Sequence, residues 1–266
     1  MLDSLKNWRR NRIVSKASLG ADAWSEVLQA LSFLRVLLPD ERERLLQAVL
    51  LFLHSKRIHG AGGLELSERM RLRIAAQACI LIINLDIDYY AGWVEVIVYP
   101  AEFVPQREYT DEHGVVHVTR EAHSGEAWLH GPVILSWADV AGDHGEDGVN
   151  VVIHEFAHKL DMLNGDANGF PPLHRGMDRA RWARVFSEAY QHFCRRVDLG
   201  RATEIDPYAA ESPGEFFAVL SEAFFELPQT VMSCYPEVYD LLVQFYRQDP
   251  AARLARFSAI PVSEMT

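Results

Sequence analysis

Cysteine is scarce in this chain: Cys79, Cys194 and Cys234 stand singly among 266 residues, without a C-x-x-C pair. An odd, dispersed set excludes a disulfide framework and a sulfur-ligated metal site, and predicts reduced, mostly buried thiols. Long apolar runs are missing too. The longest, residues 48–53 and 78–83, fall far short of the roughly 20 residues that cross a bilayer, so they are expected in core helices and not in a membrane. Positive charge is in deficit. With 26 Lys and Arg against 37 Asp and Glu the net charge is −11, which excludes the broad basic surface that direct nucleic-acid binding requires. The local exception, Trp8-Arg9-Arg10-Asn11-Arg12, reads as a solvated terminal segment. No apolar segment directly follows these basic residues, so no secretory signal is expected and a cytoplasmic location is. Internal repeats and low-complexity segments are also lacking.

What is present describes a globular protein long enough to bury a real core. Helical periodicity covers residues 24–37, 40–57 and 67–85, the second opening with Pro39, Asp40 and Glu41, acids at the positive end of the helix dipole. The period then changes. Residues 93–99 (WVEVIVY) alternate and are β-branched, predicting a strand stopped by Pro100. Residues 115–119 and 127–137 are further strands, the latter interrupted at 130–132, and the polar stretch 102–126 is a hairpin or surface loop. Helices return over 148–163, 178–197, 215–226 and 236–248. The expected fold class is α+β and mostly helical, with a small mixed sheet. A helical N-terminal region over 1–90 precedes a mixed α+β region over 91–266, with no linker long enough to demand two domains.

The chemistry is concentrated in Val151-Val-Ile-His154-Glu155-Phe-Ala-His158-Lys-Leu-Asp161, an H-E-x-x-H on a helix. Four residues make slightly more than one turn, so both imidazoles project from one face and can grip one ion. Glu155 sits about 100° around the helix from His154, within reach of a water on that ion without displacing a ligand. The helix is apolar on nearly all other sides, and burying two histidines and a glutamate unpaired would cost several kcal/mol, a conflict that a zinc ion removes. The competing reading satisfies the histidines with backbone carbonyls. A third ligand must come from elsewhere. In the extended pattern H-E-x-x-H-x-x-G-x-x-H the glycine and final histidine positions hold Asp161 and Asn164, which excludes that class. A glutamate on a later helix is the other solution. Glu215, in Ser212-Pro213-Gly214-Glu215 at a helix start, supplies one, and Glu211, Glu222 and Glu226 compete. Glu222, two turns beyond Glu215, is equally a group that orients a ligand histidine, as is Asp161.

The stretches VVIHEFAHKLDMLNGDANG (151–169) and DPYAAESPGEFFAVLSEAFF (206–225) resemble the Mlc titration factor A family of bacterial zinc peptidases, whose catalytic core is similar to that of anthrax lethal factor. The resemblance implies a zincin-like core with one zinc per chain on His154, His158 and Glu215. It also implies Glu155 as general base and Tyr208, seven residues before Glu215, as donor to the oxyanion. An aminopeptidase-like activity on peptide or protein substrates follows from it, as does binding of the glucose-responsive transcriptional repressor Mlc, which would influence expression of the sugar phosphotransferase system. An aminopeptidase needs an acid to anchor the substrate amine. The G-x-M-E-N motif that supplies one elsewhere is absent, leaving Glu211 or an acid in 102–126. Two rival readings stand beside this one. In the first the chain only sequesters a repressor and its zinc is structural or vestigial. In the second His113, His117, His123 and His130 form the metal site, although their spacing fits no single helix face. His144, His174 and His192 have no assigned role.

Overall fold

A computed structural model describes residues 2–17, 19–102, 107–110, 116–119, 125–127, 131–142 and 148–259. The first ninety residues are mainly helical, as expected: α1 (Leu2–Lys16), α2 (Ala21–Ala30), α3 (Ser32–Arg35), α4 (Pro39–Ser55), a short strand β1 (Arg57–Gly60), and α5 (Glu68–Ile80). Pro39 takes the first position of α4, and Glu41 reaches back to accept the Leu38 amide at 3.0 Å, satisfying an otherwise orphaned N–H. Three details depart from the sequence reading. The basic terminal segment is the helix α1. The span 24–37 is two helices, because Leu31 is extended (φ −113°, ψ 110°) and turns the chain so that both Phe33 and Leu34 are buried. β1 shows no usable periodicity in four residues; it is a strand because β2 is there to pair with it.

The sheet is small and mixed. β2 (Glu95–Tyr99), β5 (Gly125–Ala127) and β6 (Val133–Ser136) join β1 in the order β1-β2-β6-β5, while β3 (Arg107–Thr110) and β4 (Val116–Thr119) form a separate antiparallel pair. β1 and β2 are parallel with Arg57 opposite Glu95, β2 and β6 are parallel with Val96 opposite Val133, and β5 runs antiparallel to β6 with Gly125 opposite Leu135. Of the predicted strand over 127–137, Ala127 belongs to β5, residues 133–136 form β6 and Trp137 already opens a helix, while residues 128–130 lie outside the described residues. β1, from the first ninety residues, is hydrogen-bonded to β2 beyond them. Val96, Val98, Val133 and Leu135 are all fully buried.

After α6 (Trp137–Ala141) the chain forms α7 (Val151–Asp161), α8 (Arg179–Asp198), α9 (Pro213–Glu226), α10 (Pro228–Cys234), α11 (Pro236–Tyr246) and α12 (Pro250–Ser258). The last of these is bound back to the start. Buried Arg253 of α12 donates to Glu41 of α4 at 2.8 and 2.6 Å. No helix of the described residues is long and apolar enough to cross a membrane.

α7 carries the motif and packs against α9, β5 and β6. Its inward face is anchored by Phe156, whose ring centroid lies 5.1 Å from Tyr90, 5.6 Å from Phe52 and 5.7 Å from Trp93. Such tilted and edge-on aromatic pairs add about 0.5–1.5 kcal/mol each beyond burial. Two buried lysines flank the cluster. Lys56 donates to the carbonyls of Tyr90 and Trp93 and stands 3.9 Å over the Trp93 ring. Lys159 of α7 donates to the Gly131 carbonyl at 2.9 Å and lies 5.0 Å from the same ring. Burial lowers both ammonium groups to about 8, and for Lys159 the Lys56 charge adds to the effect.

A pH signature follows. An unfolded lysine titrates near ~10.4. Between about 8 and that value the unfolded chain therefore holds more protons than the folded one, and stability rises with pH. Urea midpoints measured from pH 7.5 to 9.5 should climb less in Lys56→Met than in the parent; an equal climb in both would show that Lys56 keeps an ordinary pKa.

Candidate metal centre

α7 begins at Asn150, whose side-chain oxygen accepts the Ile153 amide at 3.0 Å and caps the helix. One turn in, His154 and His158 share a face with ring centroids 4.8 Å apart. α9 begins at Ser212, which accepts the Glu215 amide at 3.1 Å, with Pro213 in the first position. In an N-terminal capping box the acid at Glu215's position would turn back to the cap. Here it turns to the histidines. His154 Nε2 lies 2.9 Å and His158 Nε2 3.2 Å from Glu215 Oε2, and the two Nε2 atoms are 3.1 Å from each other.

Three donors from three side chains therefore crowd one point, and His154, His158 and Glu215 could hold a metal ion. Tetrahedral ligands at about 2.0–2.2 Å from a shared zinc stand roughly 3.4 Å apart, so an ion needs the three donors to open by only a few tenths of an ångström. The nitrogen–nitrogen–oxygen donor set also suits zinc. Electrostatics favour a cation here. Burial pushes the Glu215 carboxyl up, but hydrogen bonds from both histidines outweigh it and hold the group well below the usual range. Burial pushes His154 down, and the Glu222 and Glu215 carboxylates more than reverse that, so it is raised well above its ordinary value.

The other nitrogen of His154 is also occupied: Nδ1 lies 2.8 Å from Glu222 Oε1. Glu222 thus sits on the side of the ring away from Glu215, where it fixes ring orientation. Its second oxygen accepts the backbone amide of Asn150, and the Asn150 side chain donates to Gln77 at 2.8 Å and to Glu226 at 2.7 Å. The start of α7 is in this way tied to the middle and end of α9. At the other end of α7, fully buried Asp161 accepts the Gly169 amide at 2.7 Å, and burial pushes its carboxyl up to about 6. Gly169 has φ +74°, and a Cβ there would stand 2.5 Å from the Pro213 carbonyl oxygen. Across the same contact, a Cβ on Gly214 would stand 2.8 Å from the Ala167 carbonyl oxygen. The loop after α7 therefore sits backbone to backbone on the turn that presents Glu215.

Glu155, 5% exposed, lies under the edge strand β5. At Gly125 a Cβ would stand 2.6 Å from Glu155 Cγ, so only glycine lets the strand approach the carboxylate this closely. Tyr208 sits on a short 3-10 turn (Pro207–Ala210) capped by Asp206, half exposed, with its ring centroid 6.0 Å from that of His154. Glu211 follows at the exposed end of the turn, its amide donating to the Tyr208 carbonyl at 3.0 Å. The five positions named from sequence are gathered at one place. Sequence reasoning missed Asn150, Gly125 and Gly169; only the first carried a local signal, as a cap residue three before Ile153.

Of the remaining histidines, His113, His123, His130 and His144 lie outside the described residues, and His117 is described for its backbone alone, in β4. His174 is occupied structurally, with Nε2 donating to the Phe245 carbonyl at 2.6 Å and Nδ1 3.1 Å from the Tyr89 hydroxyl. His192, on α8, has its ring 6.5 Å from that of Tyr235.

Residues 5–247 match the family model described as glucose-regulated metallo-peptidase M90. The chain belongs to that metallopeptidase family. Among its curated relatives, Mlc titration factor A of Escherichia fergusonii is 40% identical over 233 residues, 87% of this chain and 88% of that protein. The protein of the same name from Salmonella arizonae is 39% identical over 252 residues, 93% of this chain and 98% of that one. That from Enterobacter sp. (strain 638) is 39% identical over 252 residues, covering 93% and 92%. Membership accords with the zincin-like core built around α7 and α9, and a metal is what the family description implies for the site.

Two substitutions test how the M90 site is held. Glu222→Ala frees the His154 ring and should lower metal affinity by about 10–100-fold in competition with a chromogenic chelator. Gly169→Ala forces a left-handed alanine against the Pro213 carbonyl and should destabilise the fold by about 1–3 kcal/mol in denaturant titrations while weakening metal uptake.

Proposed function

We propose that the chain is a zinc-dependent, aminopeptidase-like peptidase in which His154, His158 and Glu215 hold one zinc, Glu155 is the general base and Tyr208 donates to the oxyanion. The observation that carries the reading is the convergence of two Nε2 atoms and one carboxylate oxygen within 3.2 Å, beside a buried glutamate adjacent in sequence to the first histidine. A purely structural ion has no use for that glutamate.

A bound zinc supplies Lewis acidity, lowering the pKa of a coordinated water to about 7 and polarising the scissile carbonyl. The chain's own residues do the rest. Among the described residues β5 pairs with β6 alone, so its outer edge offers backbone N–H and C=O groups to an extended peptide. A peptide there runs over Gly125 and so over Glu155. The Glu155 carboxylate accepts a proton from the attacking water as the new C–O bond forms. It then passes that proton to the departing amine nitrogen as the C–N bond breaks. The Tyr208 hydroxyl, on the rim above His154, hydrogen-bonds the carbonyl oxygen as it gains negative charge. Glu211, at the exposed end of the same turn, or an acid in 102–126 anchors the substrate's free amine. The zincin-like catalytic region spans residues 91–266, the helical region before it covers residues 1–90, and the protein acts in the cytoplasm.

A second function is compatible with the first. Relatives at about 40% identity carry the name Mlc titration factor A, which supports binding of the repressor Mlc by this chain. One substitution separates the two. Glu155→Gln should lower hydrolysis of aminoacyl p-nitroanilides by about 10²–10⁴-fold, with bound zinc and Mlc affinity unchanged; hydrolysis at the parent rate would remove Glu155 from the mechanism. Exhaustive chelation should abolish the same activity and stoichiometric zinc should restore it. Activity that survives in the metal-free protein would sink the metallopeptidase reading as a whole.

A further inference from the structure

α1 divides its cations between two jobs. Lys6 and Arg10 are spent on folding: Arg10 pairs with Asp86 at 2.7 Å and Asp88 at 2.8 Å, and Lys6 also pairs with Asp88. Arg9, Arg12 and Lys16 have no ion-pair partner among the described residues. Residues 8, 12 and 16 follow one another at one-turn spacing, and residue 8 lies about 160° around the helix from residue 10. One face of α1 is bolted to the Asp86–Asp88 turn. The other looks into a groove.

That groove, between α1, α4 and α5, has a volume of about 710 Å3. Its floor is apolar, from the partly exposed side chains of Leu19 and of Leu50 and Leu53 of α4, backed by buried Leu72 of α5. Trp8 stands at its side, 56% exposed, with Arg12 5.4 Å over its ring. The rim is basic: Arg9, Arg12 and Lys16 are joined by Arg71 from α5, against Glu68 as the one acid among the lining residues. In a chain of net charge −11 this is a local reversal of sign. Arg71 gives its Nε–H to the Ile58 carbonyl at 3.3 Å, but none of the four rim cations has a carboxylate partner among the described residues. A large exposed aromatic beside an apolar floor and such cations is a combination that marks contact sites.

The spread of the charges selects the occupant. A single carboxylate or phosphate head would be met by cations converging on one point. From Arg9 to Lys16 the rim instead runs two turns, about 10 Å. It therefore matches several separated anions in line. We propose that the groove docks a short acidic amphipathic helix of a partner polypeptide, with its leucine-like anchors on Leu19, Leu50 and Leu53 and its carboxylates along Arg9, Arg12, Lys16 and Arg71. Helix-in-groove recognition of this kind reads anchors at i, i+3, i+4 and i+7. The site is separate from the metal centre and does not depend on the peptidase reading.

The test uses the full chain and a fluorescein-labelled helical peptide of ~14 residues (about 21 Å long), with Leu at i, i+3, i+4 and i+7 and Glu on both flanks. Fluorescence anisotropy should show saturable binding that weakens with salt. The triple variant Arg9→Glu, Arg12→Glu, Lys16→Glu should lose about thirtyfold in affinity, three exposed pairs at a modest contribution each. Trp8→Ala should also bind more weakly, with thermal melts and zinc content of both variants matching the parent. Glu155→Gln should bind the peptide as the parent does. The proposal is overturned if the peptide does not saturate, if a Lys-flanked peptide binds equally, or if the triple variant binds like the parent. It is also overturned if phosphatidylglycerol vesicles or self-association respond to the triple variant while the peptide does not.

Discussion

Two imidazole nitrogens and one carboxylate oxygen occupy a region no wider than a single ion with its ligands, and they come from helices that meet only through long-range packing. Nothing in α7 alone can produce this. The arrangement requires α7 and α9 to keep one relative register to within a few tenths of an ångström. A buried cluster of polar donors that misses its geometry leaves unpaired groups in an apolar interior and costs more than it contributes. Much of the structure around α7 and α9 is the apparatus that enforces that register.

It is enforced at both ends of α7. At the N-terminal end Asn150 caps the helix with its oxygen, gives its amide protons to Gln77 and Glu226, and hands its backbone N–H to Glu222, which at the same time fixes His154. At the C-terminal end Asp161 holds the Gly169 amide, and the glycine loop rests on the Pro213 carbonyl, just before Glu215 exposes its carboxylate. Behind the helix, Phe156 is set among Phe52, Tyr90 and Trp93, so the N-terminal helices supply the wall against which the site is pressed. The side chain directly after Glu155 thus links the first ninety residues to the His154–His158–Glu215 site without being part of it.

The features legible in the sequence are those whose meaning is local. His154 and His158 share a face because four residues make one turn, and Glu215 stands out because Ser212-Pro213 announces a helix start. α5 and α8 can be read from periodicity. The role of Glu222 is undecidable at that level: two turns from Glu215 on one face fits a ligand and an orienting group equally, and only the position of His154 Nδ1 separates them. Gly125 and Gly169 look like ordinary loop glycines. Their necessity lies in what approaches them from elsewhere, the Glu155 side chain and the Pro213 carbonyl. β1 is invisible for the same reason, since four residues become a strand only in the presence of β2. α1 reads as solvated when its cations are counted together, whereas the fold sorts them by face.

That sorting bears on how an acidic chain can recruit an acidic segment at all. A net charge of −11 would repel such a segment at long range in dilute salt. At physiological ionic strength, however, charges are screened beyond about 8 Å. A segment lying in the α1–α4–α5 groove therefore feels Arg9, Arg12, Lys16 and Arg71 at contact distance and little of the carboxylates on the far side of the molecule. The acids outside the rim then act as a filter at contact distance: they leave net attraction only to a ligand small enough to present its own acids within the basic rim while its apolar face is buried. Specificity of this kind comes from confining the favourable field to one groove, where a long polyanion such as nucleic acid would meet repulsion as soon as it extended past the rim.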